Sequence, residues 1–170
     1  MECYKPLQIK NNICALLLEG GSIDYALGFF LKMKMSNDLP GIVSRKMPLP
    51  SLSDIYIQLE KNEAISKKDY SLEQPDGQNV LRERLVVRLA PTCVYYIENL
   101  GNRLHLMINN NDINSLASIS FYHCSAEDMA ALMVQQKINL ERYLAEWGNV
   151  LHSASKMTKR NRMAFLAIKA

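Results

Sequence analysis

Residues 81–89 alternate between two kinds of side chain, and this run constrains the fold more than any other part of the sequence. Side chains on a β-strand point alternately to opposite faces, so positions two apart share a face. The odd-numbered positions are Leu81, Glu83, Leu85, Val87 and Leu89, and the even-numbered ones are Arg82, Arg84, Val86 and Arg88. The run therefore predicts a strand with one mainly apolar face and one face that carries arginine.

Four further segments favour strands. Residues 55–60 and 104–108 alternate apolar with polar side chains, and residues 92–97 are rich in β-branched and aromatic side chains. Residues 116–123 follow an asparagine-rich turn, and residues 99–102 have the composition of a hairpin connection. We therefore expect a largely antiparallel sheet of about five strands.

A polar segment separates the first two of these strands. Residues 61–79 contain few apolar side chains and end in the turn signal Pro75-Asp76-Gly77. A loop of this length is unusual in a compact domain. We expect it to be mobile or to become ordered on a partner.

The N-terminal part of the chain predicts two helices. Gly20-Gly21 interrupts an apolar segment, and adjacent glycines are costly inside a helix. Ser22 suits the N-cap of the second helix, and Asp24 lies in its first turn. We place the two helices at about residues 12–19 and 23–35.

A long amphipathic helix is predicted to start at Ser125. Ser125 and Asp128 resemble a capping box with aspartate in place of glutamate. One apolar stripe at helical spacing contains Met129, Leu132, Met133, Leu140, Tyr143, Leu144 and Trp147. Gly148 suits a C-cap or a kink. Residues 163–168 fit either a last strand or a last helical turn.

Together these segments define the fold class as α+β, with N-terminal helices, a central antiparallel sheet of about five strands and a long C-terminal amphipathic helix. The length of 170 residues suits a single domain over residues 1–170. This order of elements resembles the layout of bacterial type III secretion chaperones. The resemblance is one of layout, with no residue motif behind it, and it implies a chaperone or assembly role.

Basic side chains are concentrated at the C-terminal end. The net charge is +3, and residues 156–170 form a tail that carries +5, so residues 1–155 carry −2. The basic residues of the tail are Lys156, Lys159, Arg160, Arg162 and Lys169. A segment of this kind either improves solubility or contacts phosphates.

The cysteines indicate a reducing compartment. Cys3, Cys14, Cys93 and Cys124 are separated by long, irregular gaps, and no pair has C-x-x-C spacing. A chain with 48% hydrophobic residues can build a core without disulfides. There is no secretory signal and no apolar run long enough to span a bilayer. We expect a cytoplasmic protein.

Catalytic and metal-binding patterns are missing from the sequence. No two histidines have the i, i+4 spacing of a helical metal site. His123 and Cys124 are adjacent in a predicted strand and point to opposite faces. The sequence contains no nucleophile elbow, P-loop or dinucleotide-binding motif. We expect a non-enzymatic protein without a metal or cofactor, and an enzyme of unfamiliar type would be recognised by a reactive Cys124 thiol.

The leading functional prediction is protein–protein interaction, as an adaptor, chaperone or assembly component that binds another protein or a second copy of itself. Its motivation is the broad apolar side of the long helix. The predicted partner-binding residues are Leu132, Met133, Leu140, Tyr143, Leu144 and Trp147.

The alternative is a regulator that binds nucleic acid or a nucleotide. Arginine matches the geometry of phosphate, although an arginine-lined strand face is also an ordinary solvated surface. The residues predicted for this alternative are Arg82, Arg84, Arg88, Lys156, Lys159, Arg160 and Arg162.

Overall fold

The computed structural model describes residues 4–38, 48–74, 83–113 and 115–169, and the side chains of residues 157, 158 and 160–169 lie outside this description. The elements are α1 (Pro6–Leu18), α2 (Ile23–Asp38), α3 (Leu52–Asn62), a 3-10 turn (Lys67–Asp69), β1 (Tyr70–Glu73), β2 (Arg84–Ala90), β3 (Cys93–Asn99), β4 (Leu104–Asn110), β5 (Ala117–Phe121) and α4 (Ala126–Lys169). The α+β class with its long C-terminal helix is confirmed.

The chain divides into two compact units. The helical unit comprises Met1–Leu39 and Arg142–Ala170, and the sheet unit comprises Pro40–Glu141. α1, α2 and the later part of α4 belong to the helical unit. α3, the five strands and the first part of α4 belong to the sheet unit. A single domain over residues 1–170 stays a prediction.

The sheet is an antiparallel meander in the order β1-β2-β3-β4-β5. Residues 91–92 link β2 to β3, and residues 100–103 link β3 to β4. The predicted hairpin at residues 99–102 is confirmed: Gly101 adopts a φ of +92°, a conformation that glycine adopts without steric cost. Its N–H donates to Asn99 Oδ1 at 2.8 Å.

One face of the sheet is the core of the sheet unit. Its central side chains have no exposed surface: Leu85, Val87, Cys93, Tyr95, Ile97, Leu104, Leu106 and Ile108. α3 packs against β1, β2 and β3. Tyr95 Oη on β3 donates to Gln136 Oε1 of α4 at 2.7 Å, and both residues are buried. This inner face carries the apolar alternation that predicted β2.

The strand predicted at residues 55–60 is wrong, because these residues lie in α3. Ser51 is the N-cap, and its Oγ accepts a hydrogen bond from Asp54 N–H at 3.1 Å. The buried residues of α3 are Leu52, Ile55 and Leu59, which have helical spacing. Ile57, counted as an inner position of a strand, is 46% exposed. Three alternating apolar residues fit a helix as well as a strand. The N-cap residue Ser51 is the sequence feature that distinguishes the helix from the strand.

The fifth strand is instead β1, which lies inside the segment predicted as a loop. Within residues 61–79, the structure has the end of α3, the 3-10 turn and β1. Residues 75–82, with the Pro75-Asp76-Gly77 turn, lie outside the described residues. Leu72 of β1 stands opposite Leu85 of β2, so the short strand extends the same sheet.

Two predicted helix starts are confirmed by their caps, whereas the first helix begins at Pro6, earlier than the predicted start at about residue 12. Tyr25 N–H donates to Ser22 Oγ at 3.1 Å at the start of α2. At the start of α4, Asp128 N–H donates to Ser125 Oγ at 3.0 Å, and Ser125 N–H donates to Asp128 Oδ2 at 3.4 Å. α4 continues through Gly148 without ending there, and the backbone of residues 163–168 is helical.

Candidate functional site

Most of the apolar stripe predicted to bind a partner is buried. Leu132, Met133, Leu140 and Tyr143 are at most 6% exposed, and Leu144 and Trp147 are half-buried. Their role in partner binding stays a prediction, and their burial gives the stripe a structural role within the chain. On the same helix, Ile138 lies outside the stripe and is 53% exposed.

Tyr143 and Trp147 make specific contacts within the helical unit. Tyr143 Oη donates to Asp38 Oδ2 at the end of α2, and Arg142 Nη2 lies 2.9 Å from the same carboxylate oxygen. Burial, followed by the hydrogen bond and charge of Asp38, raises the pKa of Tyr143. The Trp147 ring lies 5.2 Å from the Phe30 ring, measured between centroids. These contacts join α4 to α2.

The second face of the sheet, called here the open face, has a different character. Its side chains are half-buried or exposed, in contrast to the fully buried centre of the inner face. The apolar ones, called here the apolar centre, are Val86, Val94, Tyr96 and Met107. The register places Tyr96 between Val86 and Met107, so three of them form a row across β2, β3 and β4.

Charged and polar groups border the apolar centre. Arg84 stands opposite Glu98, and Glu98 stands opposite His105, in the adjacent row. Arg88 is exposed on the other side of the centre, beside Val94. The open face therefore combines an apolar middle with a charged rim.

Arg84 is engaged by neighbours on the open face. Its Nη2 lies 3.7 Å from Glu73 Oε2 of β1, and its guanidinium carbon lies 4.6 Å from the centroid of the Tyr96 ring. This stacking over Tyr96 is a cation–π contact. The ion pair is partly exposed, so its main effect is to orient the guanidinium. Arg84 thus covers one side of Tyr96 and is already paired with a carboxylate.

His105 contacts two serines of β5 on the open face. Its Nε2 lies 3.2 Å from Ser118 Oγ, and its Nδ1 lies 3.5 Å from Ser120 Oγ. A nucleophilic serine needs a histidine base that is itself oriented by a third group, usually a carboxylate. Here the second ring nitrogen faces Ser120. The arrangement is that of a polar cluster on a sheet surface.

The cysteine chemistry of the described residues is that of buried thiols. Burial raises the pKa of Cys93 to about 11. Burial, with the Asp128 charge nearby, raises the pKa of Cys124 to about 11. A nucleophilic cysteine requires a lowered pKa, so the Cys124 environment opposes thiolate chemistry. No group of three metal-ligating side chains occurs in the described ranges.

The residues predicted for nucleic-acid or nucleotide binding are distributed over both units. Arg84 and Arg88 lie on β2 in the sheet unit, whereas Lys156 and Lys159 are exposed on α4 in the helical unit. Arg82 and the side chains of Arg160 and Arg162 lie outside the described residues. Arg88 is the described arginine of this set that has no ion pair within the described part of the chain.

The described residues line two clefts, one in each unit. One, of about 330 Å³, lies between α1 and α2 and is lined by Leu16, Phe29 and Met33 among others. The other, of about 230 Å³, lies around the 3-10 turn beside Tyr70. Neither contains the His105–serine cluster. Among the helices of the described part of the chain, none is long and apolar enough to cross a membrane.

Comparison with protein-family models, curated proteins and solved structures finds no match to this chain. Sequence reasoning did not single out Tyr96 or Met107. The available signal was the alternation within residues 93–99 and 104–110, which places Tyr96 and Met107 on the side opposite the core.

Proposed function

We propose that this chain is a non-enzymatic protein-binding module, an adaptor, chaperone or assembly component, and that its contact surface is the open face of the sheet. The observation that carries the proposal is the row of Val86, Tyr96 and Met107 across three neighbouring strands. An antiparallel sheet with one solvated face normally carries polar side chains there. Apolar side chains clustered on that face are suited to a partner.

The composition of the open face supports a protein as the partner. Tyrosine, methionine and arginine are enriched at the centres of protein interfaces, and polar groups form the rim. Tyrosine and arginine are also frequent among the residues that dominate binding energy. Tyr96 and Arg84 are stacked on each other, which restricts both side chains before a partner arrives. Such preorganisation reduces the entropy lost on binding.

The same geometry gives less support to a phosphate ligand. Arg84 is paired with Glu73, and Glu98 stands opposite Arg84 on the next strand. A phosphate on this face would meet both carboxylates. Arg88 remains as an exposed cation on β2. Protein binding is therefore the proposed function, and capture of nucleic acid in the experiment below would favour the alternative.

A cytoplasmic location accompanies the proposal. Cys93 and Cys124 are buried thiols that form no disulfide. Reduced, buried thiols suit a reducing compartment. A bacterial secretion-type system is one setting for such an adaptor, proposed only from the order of helices and strands.

The experiment compares capture by matched variants of the tagged full-length chain in its native cell extract. Tyr96→Ser and Met107→Ser each remove an apolar group from the open face. Ile138→Ser removes an exposed apolar group of similar size from α4, and serves as the control. The proposal predicts one stoichiometric protein bound by the wild type and by Ile138→Ser. Both open-face variants are expected to reduce its capture at least about tenfold.

Two outcomes would contradict the proposal. Loss of capture in Ile138→Ser with retention in both open-face variants would place the contact on α4. Nucleic acid in place of a protein, released by salt and by Arg88→Gln, would favour the alternative function. Circular dichroism of each variant, with unchanged thermal unfolding, confirms that differences in capture come from the surface.

A further inference from the structure

β5 is the last strand of the sheet and has β4 on one side only. Each of its five residues is paired with β4. In the described ranges, no backbone hydrogen bond joins the other edge of β5 to another residue. An edge strand presents N–H and C=O groups at alternate residues, and these match the edge of a second extended strand.

The two edges of the sheet differ in the features that usually prevent strand pairing. β1 is four residues long, ends at Glu73 and follows the charged segment Lys67–Asp69. Short length and charge are common protections of an edge strand. β5 has the sequence Ala-Ser-Ile-Ser-Phe, with neither a charged residue nor a proline. β5 is therefore the edge that can accept another strand.

We infer that β5 pairs with β5 of a second copy of this chain, antiparallel about a two-fold axis at Ile119. In this register Ile119 faces Ile119 of the second copy, Ser118 faces Ser120, and Ala117 faces Phe121. Each hydroxyl stands opposite a hydroxyl, and the largest side chain stands opposite the smallest. Facing residues lie on the same side of both sheets, so the two open faces become continuous.

Charge also favours a second copy as the occupant. Because β5 carries no charged residue, the pairing of two copies opposes no like charges. A charged strand from another protein would find no ion-pair partner on β5. A two-fold arrangement also satisfies both unpaired edges with one interface, as is usual for symmetric dimers. This inference does not depend on the proposed function, which concerns the open face.

The test uses two double variants that change the same two serines. Ser118→Lys with Ser120→Lys places lysine opposite lysine at two symmetry-related positions. Ser118→Lys with Ser120→Glu places lysine opposite glutamate at those positions. Both variants lose the contacts of the serines with His105, so they share any effect of that loss on the fold.

Sedimentation equilibrium of the purified full-length chain measures the result. The wild type is expected to be a dimer in the micromolar range. The dissociation constant of the lysine–lysine variant should exceed that of the lysine–glutamate variant about tenfold, and added salt should reduce the difference. A monomeric wild type, or equal dissociation constants for the two variants, would overturn the inference.

A cross-linking measurement tests the register. Ser118→Cys and Ser120→Cys are prepared as separate proteins, mixed and oxidised mildly. The register predicts severalfold more disulfide-linked dimer in the mixture than in either variant alone, because only the mixture places the two new thiols opposite each other. Equal yields in all three samples would overturn the register. Since no partner protein is present, neither measurement depends on the capture experiment.

Discussion

Tyr95 and Gln136 are buried side chains, and a hydrogen bond between them connects the sheet to α4. Tyr95 Oη donates to Gln136 Oε1 at 2.7 Å, and Gln136 is 2% exposed. The adjacent Tyr96 points to the opposite face, where Arg84 stacks on its ring. Two neighbouring tyrosines therefore have different roles: Tyr95 belongs to the core and Tyr96 to the open face.

The first prediction compares these two tyrosines. Tyr95→Phe leaves Gln136 Oε1 buried without its Tyr95 donor, so the free energy of unfolding should fall by about 1–3 kcal/mol. Tyr96→Phe removes a hydroxyl from a half-buried position and should change it by less than about 0.5 kcal/mol. Urea denaturation measures both. Equal losses in the two variants would contradict the assignment of Tyr95 to the core.

The second prediction concerns the N-cap of α3, the helix that replaces a predicted strand. Ser51→Ala removes the oxygen that accepts from Asp54 N–H and should lower the free energy of unfolding by about 1 kcal/mol. Ser53→Ala, in the first turn of the same helix, provides the matched control because Ser53 is exposed and does not cap. Thermal or urea unfolding distinguishes them. A strand at residues 55–60 would make the two variants equivalent.

The third prediction is a loss of stability at alkaline pH that depends on Cys93. Burial raises its pKa from 9.0 to about 11, so the folded state favours the neutral thiol. Above pH 9 the unfolded chain releases this proton first and binds fewer protons than the folded chain. The free energy of unfolding therefore falls between pH 9 and pH 11, by about 2 kcal/mol from this group.

The variant Cys93→Ala isolates that contribution from other groups that titrate in the same range. Its stability at pH 7 should be lower, because a buried side chain is shortened. Its decline between pH 9 and pH 11 should be smaller than that of the wild type. If the free energy of unfolding of the two proteins fell equally between pH 9 and pH 11, the raised pKa of Cys93 would be contradicted.

A fourth prediction concerns thiol reactivity. Because burial holds the pKa of Cys124 at about 11, the folded protein should alkylate at this residue much more slowly at pH 8 than the denatured chain. Peptide mapping after timed exposure to iodoacetamide measures the rate at Cys124 separately from the other cysteines. Fast alkylation of Cys124 in the folded state would contradict this prediction and would support a catalytic role for its thiol.

Local patterns were sufficient for most of the fold. The alternation around Leu85 predicted β2, Gly101 predicted the β3–β4 hairpin, and Ser125 predicted the start of α4. Residues 55–60 were misassigned because Ile55, Ile57 and Leu59 fit both a period of two and part of a helical turn. β1 was missed because four residues are too few to establish a period, although Tyr70 and Leu72 alternate with Ser71 and Glu73.

The candidate site was less accessible to sequence reasoning. The row Val86–Tyr96–Met107 exists only because of strand register, which a single chain sequence does not specify across three strands. The α4 stripe, in contrast, was predicted from the sequence as a partner surface, but most of it is buried. Helical periodicity identifies the apolar side of α4 but cannot distinguish a side covered by the same chain from one covered by a partner. In the structure, Leu132, Met133 and Leu140 are buried within the chain.

Site-specific photo-cross-linking in the native cell tests the central claim most directly. A photoreactive side chain is placed at Met107 on the open face or, as a control, at Ile57, which is 46% exposed on α3. The account predicts a discrete cross-linked product with one other protein from position 107 and none from position 57. No product from position 107, or the same product from both positions, would contradict binding through the open face.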